Sequence, residues 1–161
     1  MTIDKNQAVV DYLLQCEDVY NNPVYFNLIN AKDNSIQILT TAEDKATSRQ
    51  FVDGSINKRY TFNLIIFKSI SEMELVKADG YTNENIEELK DVQKLIDWVQ
   101  EQQELHNYPD FGEHCHIDSI DTETDEPRYN GINTEVTPPL AMYNISIIIE
   151  YLDTSKTIYN K

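Results

Sequence analysis

Glycine is scarce in this chain, four residues in 161, and proline and cysteine are few, five and two. So little glycine excludes a collagen-like or low-complexity chain and leaves no glycine-rich loop to cradle phosphate. The two cysteines, Cys16 and Cys115, lie far apart in sequence and predict free thiols in a reducing cytoplasm, not a disulfide framework. Apolar runs such as Ile147-Ile148-Ile149 stop far short of the roughly 20 residues that cross a bilayer. The opening Met1-Thr2-Ile3-Asp4-Lys5 lacks the apolar stretch of a secretory signal. Export and membrane insertion are therefore not expected, and the sequon Asn144-Ile145-Ser146 carries no glycosylation meaning.

Basic residues are also scarce, 13 against 28 acids, for a formal charge of −15. The imbalance is local. Residues 72–126 hold 17 Asp or Glu and three Lys (Lys77, Lys90, Lys94), while the rest of the chain is close to neutral. Such a segment repels phosphate, which argues against ordinary nucleic-acid binding through Lys and Arg. It suits a solvated helix face, a basic partner, or a passage through which nucleic acid slides without sticking.

What is present is enough apolar material for one folded domain over residues 1–161: 40% hydrophobic residues, with ten Tyr, five Phe and one Trp. Asp4-Lys5-Asn6-Gln7 resembles a capping box ahead of Val9, Val10, Leu13 and Leu14, predicting a helix over about 4–20. Alternation from Val24 to Ile29, a turn at 30–34 and a strand over 35–40 predict a hairpin over about 24–41. Residues 42–57 are polar, contain the turn signal Asp53-Gly54-Ser55, and read as a partner-contacting loop. Tyr60 to Lys68 is apolar on both faces and predicts an interior strand, with Tyr60, Phe62, Leu64 and Ile66 on one side. A connection over 69–82 ends in Gly80. Thr82 or Asn83 then caps a long helix over about 84–105. Ile86, Leu89, Val92, Leu95, Ile96 and Val99 fill one side of it, and acids such as Glu87, Asp91 and Glu101 fill the other. Trp98 falls toward the charged half, as a lid over the sheet edge or an anchor for another chain. Strands over 114–122 and about 141–152 flank an acidic, proline-containing loop. Tyr60, Phe62, Leu64, Leu95, Ile96, Ile145 and Ile147 are the expected core. These elements describe an α+β fold: a small mixed or antiparallel sheet of about five strands, with an N-terminal and a long central helix packed on it.

Chemistry-bearing patterns are thin. His114 and His116 share a strand face beside Glu113, but His106 and Cys16 are badly placed to complete a zinc site. The expectation is two solvent-edge histidines with Cys115 turned inward, and no metal or cofactor. The many carboxylates lie on an open face that does not push pKa values apart, and Asp53-Gly54-Ser55 is a turn rather than a nucleophile elbow. The chain reads as a structural or interaction protein, not an enzyme.

Three segments carry a resemblance. Asp53-Gly54-Ser55 followed by Arg59-Tyr60-Thr61-Phe62-Asn63-Leu64 resembles the central segment of the tail-terminator (tail-completion, or minor capsid) proteins of long-tailed bacteriophages. So does Leu95-Ile96-Asp97-Trp98-Val99-Gln100-Glu101-Gln102 running into Asn107-Tyr108-Pro109, and Ala141-Met142-Tyr143-Asn144-Ile145-Ser146 is similar to that family's last strand. The likeness covers about residues 50–152. The acidic long helix and the acidic loop over 121–135 depart from the family's common form.

The resemblance implies a virion protein of the tail or neck, assembled in the host cytoplasm. It would form a hexameric ring that caps the tail tube and joins it to a head connector or head-closure protein. Genome DNA would pass through the ring without specific binding. Arg49, Asp53, Lys58 and Trp98 are then expected at contacts with a neighbouring subunit or the tube, and Glu87, Asp91 and Glu101 at the lumen. Two other readings stand beside it: a different neck or head-completion protein of similar fold, and an acidic DNA mimic or immunity-type inhibitor that plugs a basic cleft.

Overall fold

The computed structural model describes residues 4–41, 49–69, 84–137 and 139–157. Its elements run α1 (Lys5–Leu13), α2 (Glu17–Tyr20), β1 (Val24–Phe26), β2 (Ile36–Thr41), β3 (Arg49–Gln50), β4 (Ile56–Ser69), α3 (Glu84–Leu105), β5 (Cys115–Thr122), β6 (Arg128–Asn133) and β7 (Leu140–Asp153). The expected cap at Thr82 or Asn83, the connection through Gly80 and residues 42–48 of the polar loop lie outside the described residues.

The two strands richest in alternating apolar residues, β4 and β7, pair antiparallel over their full length, from Ile56↔Asp153 to Ser69↔Leu140. Fourteen residues each make a ladder about 45 Å long. Each outer edge of this ladder is lined by two strand segments in series. β2 pairs with β4 at Thr41↔Thr61, and β3 resumes the pairing at Arg49↔Asn57. On the other edge β5 ends at Thr122↔Ile147, and β6 resumes at Arg128↔Asn144. The acidic excursion between them folds toward α3, where Gln93 Nε2 donates to the Asp125 carbonyl at 2.9 Å. The fold is α+β, as expected, with a mixed sheet of seven strands instead of five. The two additional strands, β3 and β6, are short, mostly polar edge segments whose pairing comes from the neighbouring ladder.

Residues 24–41 do not form the expected hairpin. β1 pairs parallel to β2, Val24↔Ile36 to Phe26↔Ile38. Asn27 takes φ 50 and ends the first strand three residues early. Its amide oxygen accepts from the Thr40 N–H at 2.9 Å. The chain then loops back to its starting level, where the Ile36 N–H reaches the Pro23 carbonyl at 2.8 Å. Both strands therefore run the same way, and Leu28 and Ile29 stay exposed.

The N-terminal segment is two helices with a break at Leu14–Cys16. Asp4 caps α1 by accepting from the Asn6 N–H at 2.9 Å, but Gln7 turns to Asp11 and the reciprocal half of the capping box is absent. The break lets Cys16 and Val19 join Val9, Tyr12 and Leu13 in the core, while Leu14 is exposed. The core lies between one face of the sheet and α1, α2 and α3. Phe62, Leu64, Ile66, Ile145, Ile147 and Ile149 face Val92, Leu95, Ile96 and Val99 there. Tyr60 is half-buried against this cluster. Ile86 and Leu89, expected inside, are 46% and 38% exposed on the first turns of α3. The opposite sheet face is less covered: Phe67 is buried, Ile65 is half-buried, and Asn63 accepts from the Ser146 hydroxyl at 2.7 Å.

Candidate functional site

The short strand β3 and the start of β4 make a hairpin whose turn runs Phe51-Val52-Asp53-Gly54-Ser55. The Phe51 N–H donates to the Ser55 carbonyl at 2.8 Å, and the Gly54 N–H to the Phe51 carbonyl at 3.0 Å. Asp53 accepts from both the Ser55 hydroxyl (2.6 Å) and the Ser55 N–H (3.0 Å), an Asx-turn that fixes the tip. Those donors hold the Asp53 carboxyl below its usual range, the hydroxyl contributing most. The turn is closed by polar groups, yet what it displays is apolar. Val52 is fully exposed and Phe51 is 43% exposed. The Arg49 guanidinium sits 5.9 Å from the Phe51 ring centroid. Below the tip, Asn57, Asp118 and Leu152 complete a shallow, largely apolar groove.

Arg49 and Asp53 therefore lie on the same exposed hairpin. Lys58 lies a few residues further along β4, where its ammonium is 2.9 Å from Asp153. Asp153 also accepts from the Ser155 N–H at 2.9 Å. Burial alone pushes the Asp153 carboxyl up, but the Ser155 and Lys58 donors outweigh it and hold the carboxyl at about 2. A carboxyl depressed by folding contributes stability that is present above its unfolded value of about 3.9 and is lost as pH falls toward 2. The thermal midpoint should accordingly drop between pH about 4 and about 2 more steeply for the wild type than for Asp153→Asn. Parallel acid limbs for the two proteins would show that this pair contributes nothing.

Trp98 is separate from the tip. Its ring packs on Tyr12 with centroids 5.1 Å apart, in the seam between α1 and α3. The Tyr12 hydroxyl donates to the Asn107 carbonyl at 2.9 Å, tying the end of α3 to α1. Trp98 thus closes the protein's own core edge and is half-buried.

Glu87, Asp91 and Glu101 lie within one exposed arc of α3. Part of their charge is answered locally: Glu87 lies 3.0 Å from Lys90, and Asp91 lies 3.2 Å from Lys94 and 4.0 Å from Lys68. Asp91 also lines a cavity of about 200 Å³ with Asp18, Asn22, Asn34 and Lys68 at the far end of β4. Lys68 is buried at its rim, donating to Asn34 Oδ1 at 2.7 Å with Glu88 3.6 Å away. No sequence pattern marks this cavity, because its members come from α2, the loop before β2, β4 and α3.

His114 and His116 are exposed, and Cys115 packs against the core. Among the described residues, no three His, Cys, Asp or Glu side chains gather as a metal site. Phe51 and Val52 are functional candidates that the sequence expectations omit; the apolar pair directly before Asp53-Gly54 is the signal that could have found them. No protein-family model matches the chain, and no curated protein is similar to it.

Proposed function

We propose that this chain is a structural subunit of a long-tailed bacteriophage particle, the tail terminator, which caps the tail tube and joins it to the head connector or head-closure protein. The observation that supports this reading most is the hydrogen-bonded hairpin tip, which leaves Phe51, Val52 and Arg49 exposed at one end of the β4–β7 ladder. Exposed apolar side chains on a tightly bonded turn are a contact surface, and a subunit of a closed ring needs one such surface for each neighbour. The resemblance noted over residues 50–152 points the same way. The protein works by being gripped and has no substrate to turn over. Six copies would form the ring, and genome DNA would pass through it.

Particles assembled without this protein should carry overlong tails detached from heads, scored by negative-stain imaging. Tails of normal length joined to heads would rule the terminator out. The acidic arc of α3 suits a lumen that DNA crosses without adhering. Glu87→Lys with Glu101→Lys should leave assembly intact and slow DNA ejection, measured as genome release from purified particles. Ejection at the wild-type rate would remove these residues from the lumen.

A further inference from the structure

The described residues include two pairs in which Asp or Asn precedes glycine, Asp53-Gly54 and Asn130-Gly131. Such a pair can cyclise: the main-chain nitrogen of the glycine attacks the side-chain carbonyl carbon and closes a five-membered imide. Glycine favours the reaction because it has no Cβ to crowd the attacking nitrogen. Both glycines take φ +93, so their backbone conformation does not separate the two sites. Their surroundings do. At Asp53 the carboxyl accepts from the Ser55 hydroxyl and N–H, and those donors keep it ionised, which makes it a poor electrophile. The Gly54 N–H donates to the Phe51 carbonyl at 3.0 Å, and the glycine packs against the Lys156 carbonyl. Asn130 is exposed, and among the described residues no hydrogen bond holds its side chain. Asn130 and Gly131 stand opposite Met142 alone, in a bulge between Tyr129↔Tyr143 and Ile132↔Ala141. A Cβ on Gly131 would meet nothing within 4 Å, so the peptide joining the pair has room to turn. The strand that carries it, β6, pairs with β7 alone.

We propose that Asn130-Gly131 is a self-modification site, at which the folded protein converts asparagine to a mixture of aspartate and isoaspartate. Base takes the proton of the Gly131 N–H, and the nitrogen attacks Asn130 Cγ. The new Cγ–N bond forms, the Cγ–Nδ2 bond breaks, and the amide nitrogen leaves as ammonia with a proton returned from the base. Water then opens the imide. Breaking the new Cγ–N bond gives aspartate. Breaking the bond from the Gly131 nitrogen to the main-chain carbonyl carbon of Asn130 gives isoaspartate, whose chain runs through Cγ. The balance is water in and ammonia out, with no oxidant or cofactor. Either product adds a carboxylate to an edge strand. Isoaspartate also lengthens the main chain by one methylene, which β6 cannot absorb while keeping Ile132 opposite Ala141. The edge then loosens from β7 while the β4–β7 ladder stays paired. This goes beyond the ring-subunit reading and does not rest on it.

The test holds the purified full chain at mildly alkaline pH, folded or in urea, and follows digested samples by mass spectrometry over weeks. In the folded chain the peptide containing Asn130 should gain the mass of an amide-to-acid exchange and resolve into two isomers. One of them should accept a methyl group from an isoaspartyl methyltransferase. Loss of the Asn130 amide in the folded chain should run within about tenfold of its rate in urea, because the bulge restrains it little. Isoaspartate at Asp53 should appear only in urea. Asn130→Gln, which would have to close a six-membered ring, should keep its amide and the wild-type melting midpoint. Hydrogen exchange on aged wild type should show lost protection in β6 and unchanged protection in β4. A folded chain that keeps the Asn130 amide while urea releases it more than about tenfold faster would overturn the proposal. Isoaspartate forming at Asp53 as fast as at Asn130 in the folded chain would overturn it equally. Full protection of β6 after conversion would overturn the loosening of the edge.

Discussion

Phe62→Ala is expected to cost about 3–5 kcal/mol of unfolding free energy, a large share of the roughly 5–15 kcal/mol that holds a domain of this size together. Phe62 is wholly buried and sits opposite Ile147, also wholly buried, in the centre of the β4–β7 ladder. Truncation removes the ring's apolar area from the core and leaves a cavity that the paired backbones cannot close. Phe62→Leu keeps most of the volume and should cost much less, below about 2 kcal/mol. Ile65→Ala, three residues on and half-buried on the other sheet face, should cost only about 1 kcal/mol. Urea unfolding followed by circular dichroism would give all three values, with unchanged slopes marking unchanged native compactness. Equal losses for Phe62→Ala and Ile65→Ala would contradict a core confined to the helix-covered face.

That one-sidedness is only partly legible in the sequence. The alternation of Ala141, Tyr143, Ile145, Ile147, Ile149 and Tyr151 is a period-two pattern, and the structure buries each of those side chains. Phe62, Leu64, Leu95, Ile96, Ile145 and Ile147 are likewise expected inside and are found there. Tyr12 escapes notice because a phenol is a poor core marker until a carbonyl such as that of Asn107 is near enough to accept from it. Ile86 and Leu89 sit on the apolar stripe of α3, yet periodicity reports only which face a residue occupies. Whether that face has anything to pack against depends on tertiary placement. The hairpin expected over 24–41 fails for a similar reason: a positive φ at Asn27 is a backbone choice, fixed by a bond to Thr40 thirteen residues away.

The candidate site divides the same way. The turn at Asp53-Gly54-Ser55 is local chemistry and is readable, since Asp and Ser bond their own backbone and glycine accepts positive φ. Arg49 and Asp53 lie on the same hairpin, Arg49 beside the Phe51 ring and Asp53 bonded to Ser55. For Trp98 the helical wheel allows two roles, lid or anchor, and its packing on Tyr12 is that of a lid. The cavity around Lys68 is invisible in the sequence, because Asp18, Asn34, Lys68 and Asp91 are brought together only by the docking of α2 and α3 on the sheet end. A segment total of acids and bases says nothing about the charge balance inside it.

Gly54→Ala should be the most damaging single change at the tip, costing about 2–4 kcal/mol in combined backbone strain and overlap. Gly54 has φ +93, and a Cβ there would stand 2.5 Å from the carbonyl oxygen of Lys156, a backbone atom with no rotamer to change. Gly131 supplies the control. It shares φ +93, but a Cβ there would meet nothing within 4 Å, so Gly131→Ala should show the conformational cost alone, about 1–2 kcal/mol. The difference between the two melting shifts isolates the contact between the tip and the C-terminal segment. Hydrogen exchange should localise it: the Gly54 N–H, bonded to Phe51, and the Thr157 N–H, bonded to Thr154, should both lose protection in Gly54→Ala. Because the tip carries Phe51, Val52 and Arg49, the contact surface of the proposed ring, loosening it should also weaken ring assembly if that reading holds, while Gly131→Ala leaves association as in the wild type. Equal effects of the two substitutions on stability and association would mean that the close approach to Lys156 does not hold the tip in place.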